Sequence, residues 1–423
     1  MTSLIKSRTN ILVSILYGCA LLSGIVPQTL LSIVIVSVLI LLMDTDDLYC
    51  TYPIMMFYYS VFGVIFGLSV FRIFSILFLG HYLIRHRFRI KVTSAFIPLF
   101  VYVTYCILVF SSYSIRDSIF VIMNVLCIIA VTQTIQGDNE KFRTFFKLFV
   151  IAAFCSYFTG IVTHNVMNVN WVFSGTNVLM NRFMATFEDP NYMCFFYTIA
   201  VFSMVTLELF RKKVRVLMIM VLSLMMLTTL SITAILGNVL LWFAYLVLAK
   251  KVNAKIVALV VVIGIASIAA YGYGLEHHDF PVLGTLAYRI QDKLMALKLG
   301  DLDTVTTMRS TLSQDHLRFF SQQSILKMLF GGNLVNTYVV DLPNYEDLVA
   351  HNEYVDLLLN VGILGFLLMI GYVVYRFFTL WRTYKVEKKN TYLCALMVKM
   401  VWIYFVYTLT VFLDFRFMLP FFI

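Results

Sequence analysis

"AHNEYVDLLLNVGILGFLLMI" (residues 350–370) passes from polar and ionisable side chains directly into an apolar run. The apolar part can begin a membrane-spanning helix, because about 20 apolar residues cross the hydrocarbon core. Ionisable groups beside hydrocarbon are costly and serve a function in most membrane proteins. His351, Asn352 and Glu353 therefore mark a candidate functional rim where a helix enters the membrane.

The composition of the whole chain predicts a membrane protein. Of its 423 residues, 61% are hydrophobic and 13% are charged, whereas soluble domains average about 25% charged residues. The apolar stretches do not alternate as the strands of a membrane barrel would. We therefore predict an all-α fold, a polytopic membrane helix bundle of about 13 (about 12–14) transmembrane helices that forms one domain over residues 1–423.

The predicted spans follow from the apolar stretches. They are 10–26, 28–43, 52–66, 67–84, 94–111, 115–135, 143–163, 190–210, 214–230, 231–249, 254–273, 354–378 and 391–411. Residues 412–423 are a candidate for a return into the membrane. A single helix over 52–84 would be about 50 Å long, so we expect a division near residues 63–67.

Short basic clusters set the predicted orientation. They lie at 81–91, 211–215, 250–255 and 376–389, and the positive-inside rule places them in the cytoplasm. An even number of crossings must then separate 215 from 250, which predicts a helical hairpin over 214–249 with its turn at 228–233. These clusters account for the net charge of +10 without a nucleic-acid partner.

Two segments are then left on the outer side, a short one at 164–189 and a large, partly helical loop at 274–353. Apolar spacing in 306–330 predicts an amphipathic helix at the outer surface, and the glycines of "FGGN" (330–333) would end it. Each of these segments contains residue types that bind anions.

In the short segment, Arg182 precedes Asp189, Pro190 and Asn191. Pro190 suits the first turn of a helix and Asp189 its N-cap, so Asp189 and Asn191 either orient that helix or also support a site. An isolated Arg at this place is a good anion ligand. The loop adds Arg289, Arg309 and Arg318, each of which is either a surface cation paired with a nearby Asp or part of a bidentate diphosphate clamp.

His351 is the candidate base, with Asn352 beside it and Tyr354 on the same helix face. A neutral imidazole suits proton removal from a hydroxyl at neutral pH. The histidines that compete for this role are His164, His277, His278 and His316. No spacing of Cys or His predicts a metal site. We discount "DLD" (301–303) as a metal-binding pair, and the sequence has no Gly-rich phosphate loop.

Two motifs, "RFMATFEDPNYMCFFY" (182–197) and "HNEYVDLLLNVGILGFL" (351–367), together with the hairpin at 214–249 and a weaker motif at 308–333, resemble the O-antigen polymerase and ligase superfamily. The nearest type is the Wzy-like polymerase of bacterial surface polysaccharides. One departure is the hairpin turn, where relatives often carry Ser-Arg-Gly and this chain has "LSITAILG" (230–237) without the Arg.

The resemblance implies a glycosyltransferase of the C type, inverting and independent of any metal or other cofactor. It implies that Arg182 and Arg309 hold the diphosphate of a glycan on undecaprenyl diphosphate, that Arg289 and Arg318 contribute, and that His351 serves as the base. The expected partners are the lipid-linked donor and acceptor, membrane lipid, a chain-length regulator and a flippase. The expected location is the bacterial inner membrane, with the site facing the periplasm.

The sequence leaves two alternatives open. A ligase of the same superfamily would transfer the finished glycan to a lipid or protein acceptor. A transporter of lipid-linked oligosaccharide would show repeat symmetry or broken helices with midplane charges.

Overall fold

The structure is a computed structural model. It describes residues 2–43, 47–65, 68–89, 96–109, 115–136, 138–167, 173–174, 182–250, 254–277, 282–306, 309–331, 340–342, 345–348 and 352–406. The described chain is all-helical apart from three antiparallel pairs of very short strands.

The helices follow one another along the described chain as α1 (Thr2–Leu21), α2 (Gln28–Leu42), α3 (Tyr52–Phe57), α4 (Val70–Arg85), α5 (Ile97–Val109), α6 (Ile115–Gln136), α7 (Asn139–Met167), α8 (Pro190–Thr206), α9 (Lys212–Leu227), α10 (Ile232–Leu248), α11 (Ala254–Glu276), α12 (Leu283–Leu299), α13 (Leu302–Thr306), α14 (Arg309–Ser321), α15 (Ile325–Phe330), α16 (Glu353–Glu387) and α17 (Asn390–Val406). The strand pairs are β1 (Val64–Ile65) with β2 (Leu68–Ser69), β3 (Phe173–Ser174) with β4 (Arg182–Phe183), and β5 (Val340–Leu342) with β6 (Tyr345–Leu348).

Helix α8 forms the centre of the bundle and is buried along almost its whole length. It packs against α7, α9 and α17. Its aromatic side chains join a cluster in which the rings of Phe187 and Phe196 stack at 5.2 Å and Phe57 meets Phe149 edge-on at 4.9 Å. Because other helices enclose α8 on almost all sides, the start of α8 has a fixed position relative to its neighbours.

Several predictions from the sequence are confirmed. Helices α9 and α10 form the expected hairpin over 214–249, with their turn at residues 228–231. The division expected near 63–67 is the β1–β2 hairpin, after which Ser69 caps α4 by accepting from Arg72 N–H at 3.2 Å. The described part of 274–353 is partly helical, and α15 ends at Phe330, directly before Gly331.

Two predictions about helix extent are wrong. The span expected at 52–66 is helical only over Tyr52–Phe57, because the chain turns at 58–62 before β1. The single amphipathic helix expected at 306–330 is divided into α14 and α15. Ser324 accepts a hydrogen bond from Lys327 N–H and so starts a new helix, an effect that apolar spacing does not reveal.

Helix α16 changes direction at Gly362, whose φ of 67° and ψ of −177° lie outside the helical region. Gly331, at the end of α15, packs against this kink so closely that a Cβ on Gly362 would lie 2.4 Å from Gly331 N. The Tyr105 hydroxyl bonds to Val361 O at 2.8 Å. The kink is therefore held by α5 and α15, and it folds the first turns of α16 back toward α17.

The bundle has two ends, which we name by their residues. The arginine end holds Arg182, the start of α8 and the α9–α10 turn. We call the opposite end the hairpin end, after the turn between α16 and α17 at Lys388. At this end Tyr384 donates to Leu248 O at 3.3 Å, near the last residue of α10. The basic clusters at 211–215 and 376–389 thus lie at the same end of the bundle.

Within the described chain, two helical stretches are long and apolar enough to cross a membrane, Asn139–Thr163 and Glu353–Glu387. Five shorter apolar helices accompany them, among them Ile232–Leu248 and Asn390–Val406.

Candidate functional site

The site begins with the segment 182–189, which lies on the α9–α10 turn. Phe183 N–H donates to Thr228 O at 3.2 Å, and the Arg182 guanidinium donates through Nε to Thr229 O at 2.8 Å. The predicted turn residues are therefore the ones that hold Arg182. This bond uses the Nε–H of the guanidinium and fixes the orientation of its plane.

Gly160 of α7 allows the same segment to approach closely. A Cβ at this position would lie 2.8 Å from both Ala185 Cα and the Phe183 ring. Ala185 has a positive φ of 52°, and Thr186 next to it donates to Phe57 O at 2.6 Å. The backbone that carries Arg182 is thus packed against α7 and anchored to α3.

Asp189 and Asn191 start α8. Asp189 accepts from Asn191 N–H at 2.6 Å and is the N-cap, as the sequence predicts. The buried Asn191 accepts from the Ser231 hydroxyl at 2.8 Å, and Ser231 itself caps α10. The starts of α8 and α10 are thereby joined beneath Arg182, which explains both residues as orienting groups. Whether they also serve chemistry stays a prediction.

The side chain of Arg182 is largely buried. Burial lowers its pKa to about 10, the Asp189 carboxylate opposes that shift, and the positive charges of Arg289 and Arg309 lower the pKa further. Arg182 therefore remains charged at neutral pH and lies within electrostatic range of both other arginines. Three of the four arginines singled out from the sequence are thus brought together, and the fourth, Arg318, is not among the charges that act on Arg182.

Lys293 is a fourth cation at this place, and the sequence analysis missed it. Burial lowers its pKa, and the charges of Arg289, Arg309 and Arg182 act in the same direction, with Asp292 opposing. Its ammonium donates to Thr304 O at 3.2 Å and also to Val305 O. The signal that could have identified it is its position four residues after Arg289, on the same face of α12.

We call Arg182, Arg289, Lys293 and Arg309 the cationic cluster. Its members come from β4, α12 and the start of α14, so no local spacing in the sequence assembles it. Asp189 and Asp292 offset part of its charge. Among the described residues, these four half-buried cations favour a multivalent anion, and guanidinium groups can bind phosphate oxygens bidentately.

Arg318 lies elsewhere on α14. Its side chain is 77% exposed and forms a 4.0 Å ion pair with Asp315. Exposed pairs of this kind contribute little to stability. The structure therefore does not bring Arg318 into the cationic cluster, and its predicted contact with a diphosphate has no geometric support.

His351, the predicted base, lies outside the described residues. The structure does describe Asn352 and Tyr354, which the sequence analysis placed beside it. Asn352 is the N-cap of α16, and its Oδ1 accepts from Tyr354 N–H at 3.2 Å. Its Nδ2 lies 3.5 Å from Ser313 Oγ. Ser313 is one turn after Arg309 on α14. The Tyr354 hydroxyl donates to Ile403 O at 3.1 Å. The start of α16 is therefore packed against the helix that begins with Arg309.

His316 is the fully buried imidazole of this region. Its Nδ1 lies 2.7 Å from Leu312 O, and a carbonyl only accepts, so Nδ1 carries the proton. In the neutral ring Nε2 is then an acceptor, and it has no hydrogen-bond partner among the described residues. His316 is seven residues after Arg309 and on the same face of α14, so it is a second candidate for contact with a substrate hydroxyl.

Two carboxylates lie in the first turns of α16, Glu353, which the sequence analysis placed at the candidate rim, and Asp356, which it missed. Glu353 is 6% exposed and Asp356 5% exposed. The start of a helix stabilises negative charge through its free N–H groups, which suits both positions. The position of Asp356 three residues after Glu353, within an otherwise apolar run, is the signal that could have identified it.

Comparison with known proteins adds no family assignment, since neither a protein-family model nor a curated protein matches this chain.

Proposed function

We propose that this chain is a membrane-embedded glycosyltransferase that polymerises a bacterial surface polysaccharide. It moves the growing glycan from undecaprenyl diphosphate onto a lipid-linked repeat unit. The observation that carries the proposal is the cationic cluster, whose four half-buried cations come from three separate elements. A lipid diphosphate is the anion that this charge and the surrounding apolar helices favour together.

Embedding in the membrane is part of the proposal, with about 13 spans as the sequence predicts. Large apolar side chains that face outward support it, because in water such a surface would promote association. On α9 and α10 they include Leu217, Leu224, Val239 and Phe243, each more than half exposed. The two stretches of membrane-spanning length support it as well.

In the proposed reaction, the acceptor hydroxyl oxygen attacks the anomeric carbon of the donor sugar. The bond between that carbon and the diphosphate oxygen breaks, and the electron pair leaves with the diphosphate. A single displacement of this kind inverts the anomeric centre. The developing negative charge is stabilised by the cationic cluster, which requires no reorganisation at the moment of reaction.

The hydroxyl proton needs an acceptor, and we assign this role to His351. The Nε2 atom of His316 lies on the Arg309 face of α14 and is buried, so it can orient the same hydroxyl only after the residues that cover it move. Asn352 and Tyr354 hold the start of α16 through Ser313 and Ile403. In this proposal the arginine end faces the periplasm, and a flippase and a chain-length regulator would work beside it.

Reconstitution tests the proposed reaction. The purified chain in liposomes receives lipid-linked repeat units, and the products are separated by size. A ladder of lengthened glycans on the lipid carrier is the expected result. Transfer only to a non-glycan acceptor would instead identify a ligase, and movement of intact lipid-linked glycan across the bilayer without lengthening would identify a transporter. Either of those two results would overturn the polymerase proposal.

A further inference from the structure

A short basic segment, "IRHRFR" (residues 84–89), follows the end of α4, and we call it the basic turn. Helix α4 ends at Arg85, and the chain then turns through a hydrogen bond from Arg87 N–H to Ile84 O at 3.1 Å and one from Phe88 N–H to Leu83 O at 2.6 Å. All six residues of the basic turn are exposed. The proposed glycosyl transfer uses none of them.

The basic turn lies at the hairpin end of the bundle. One turn before it, the Tyr82 hydroxyl donates to Gln133 Oε1 at 2.5 Å, near the end of α6. Asn139 begins the next helix, α7, and lines the same cavity as Lys389 beside the α16–α17 turn. The basic turn therefore shares this end with the two other basic clusters already placed there.

The charge balance of the basic turn differs from that of those two clusters. The sequence from residue 48 to residue 116 contains no Asp or Glu. In contrast, Lys389 forms a 2.6 Å ion pair with Glu387, and the cluster at 211–215 follows the exposed Glu208. The stretch of chain that carries the basic turn thus brings only positive side chains to this end, which favours an anionic partner.

Two large apolar side chains stand among these cations. Ile84 is 67% exposed and Phe88 is 76% exposed. Arg87 and Phe88 have positive φ angles of 51° and 57°, a conformation that glycine usually supplies where a helix ends. Strained residues of this kind are frequent in functional segments. Here they keep an aromatic ring exposed between charged neighbours.

A lipid leaflet fits this combination of side chains. An exposed aromatic ring among cations suits the membrane interface, where the ring enters the acyl boundary and the cations meet phosphate groups. The exposed side of α4 leads to the same place, because Ile76, Gly80 and Ile84 follow one another at intervals of four residues along the helix. Both Ile76 and Ile84 are exposed, and nothing lies within 4 Å of a Cβ built on Gly80.

We propose that the basic turn is a binding site for the headgroups of anionic phospholipids, with Arg87 and Arg89 on phosphate groups and Phe88 in the acyl boundary. Guanidinium groups bind phosphate oxygens bidentately. The site goes beyond the proposed glycosyl transfer and requires only that α4 lie in a membrane.

The test gives the purified full chain, in a neutral detergent, equal amounts of phosphatidylglycerol and phosphatidylcholine. Native mass spectrometry then counts the lipids that the protein retains, and phosphatidylglycerol should be preferred. Phosphatidylglycerol should also raise the melting temperature more than phosphatidylcholine does. That difference should shrink when salt increases from about 0.05 M to about 0.5 M, because exposed charges are screened.

Two double variants and a matched control locate the site. Arg87→Gln with Arg89→Gln should reduce retention of phosphatidylglycerol about tenfold or more, since each lost charge weakens attraction to an anionic headgroup. Arg87→Lys with Arg89→Lys keeps both charges and should keep the preference. Arg211→Gln with Lys212→Gln, the control, removes two exposed cations from the same end and should change retention less than about twofold.

A single variant tests the aromatic ring. Phe88→Gly removes the side chain and suits the positive φ, so the backbone of the turn is preserved. Retention of both lipids should fall about threefold or more, because the loss of apolar contact does not depend on the headgroup. Unchanged retention would exclude Phe88 from the site.

Three results would overturn the proposal. Equal retention of the two lipids by the wild-type chain would leave an acidic protein surface as the occupant of the basic turn. Equal losses in the two Gln pairs would show that the whole hairpin end attracts lipid without a site. Loss of the preference in the Lys pair would show that the charges are not what binds. These outcomes are independent of the ladder assay, because a chain that forms no polymer still retains phosphatidylglycerol if the site exists.

Discussion

The hydroxyl of Ser231 donates to the amide oxygen of Asn191 at 2.8 Å and also accepts from Ala234 N–H at 3.2 Å. One buried side chain therefore caps α10 and joins its start to the start of α8. Both helices begin beneath Arg182. This hydrogen bond between two neutral residues therefore fixes the start of α10 relative to α8, next to the Thr229 carbonyl that accepts from Arg182.

Removal of this hydroxyl should destabilise the protein. Ser231→Ala loses a helix cap and leaves the Asn191 oxygen without its donor, which together cost about 1–3 kcal/mol. We expect a lower melting temperature in detergent. Ser324→Ala is the matched control, because Ser324 caps α15 through a longer 3.4 Å bond and is exposed. Equal losses in the two variants would contradict this explanation.

Arg182→Ala should reduce glycan transfer roughly 100-fold or more, the usual effect of removing one preorganised donor from a developing anion. Arg182→Lys should restore only part of the activity, because a point charge replaces a planar fork. Arg318→Ala is the control, since Arg318 is exposed and paired with Asp315. The rate of ladder formation checks all three variants, and normal activity of Arg182→Ala would remove this residue from the site.

Lys293 should make the free energy of unfolding of the protein depend on pH. Its pKa lies below the usual 10.5, chiefly because of burial. Between the lowered pKa and 10.5 the unfolded chain binds more protons than the folded chain, so stability rises with pH in that window. Lys293→Met lacks this effect. The melting temperature of the wild type relative to the variant should therefore increase as the pH rises through this window toward 10.5, and parallel curves would contradict the prediction.

The two imidazoles can be distinguished by substitution. His351→Ala should abolish product while the protein stays folded, because the acceptor hydroxyl loses its base. His316→Phe keeps an aromatic ring in the buried place and removes Nε2, so we expect a smaller, roughly tenfold loss of rate typical of a lost hydrogen bond. The reverse order of effects in single-turnover assays would make His316 the base.

Gly362 should tolerate no side chain. Gly362→Ala places a Cβ against the Gly331 backbone and occupies a region of φ and ψ that L-residues avoid, at a cost of about 3 kcal/mol or more. Gly371→Ala is the control on the same helix, where nothing lies within 4 Å of the new Cβ. That substitution should be neutral or stabilise the helix by up to about 1 kcal/mol. Thermal unfolding distinguishes the two.

The extent of most helices could be predicted from the sequence, because runs of apolar residues and Pro or Asp at helix starts act locally. The α9–α10 hairpin followed from the basic residues at its two ends. The kink at Gly362 could not be predicted, since its cause is the distant Gly331. A glycine within an apolar run is compatible with a straight helix, and only the packing of α15 decides between the two.

The candidate site was partly predictable for the same reason. Arg182 was noticeable because it is an isolated Arg in an otherwise apolar stretch, and Arg309 because it lies in the motif at 308–333. Lys293 resembles a surface residue in its local sequence, and only the approach of α12 to the start of α14 gives it a role. Arg318 has the same local appearance as Arg309, but it lies nine residues later and faces outward.

The kink in α16 has a consequence for the depth of the reaction. An unbroken helix from Glu353 to Glu387 would be about 52 Å long. The part of α17 from its start, at the α16–α17 turn, to Ile403 is only about 20 Å long. Tyr354 nevertheless bonds to Ile403, so the first turns of α16 return toward the interior. Under the proposed function, a lipid-borne substrate would therefore have to reach the interior of the bundle, and its leaving group would depart through protein rather than through open solvent.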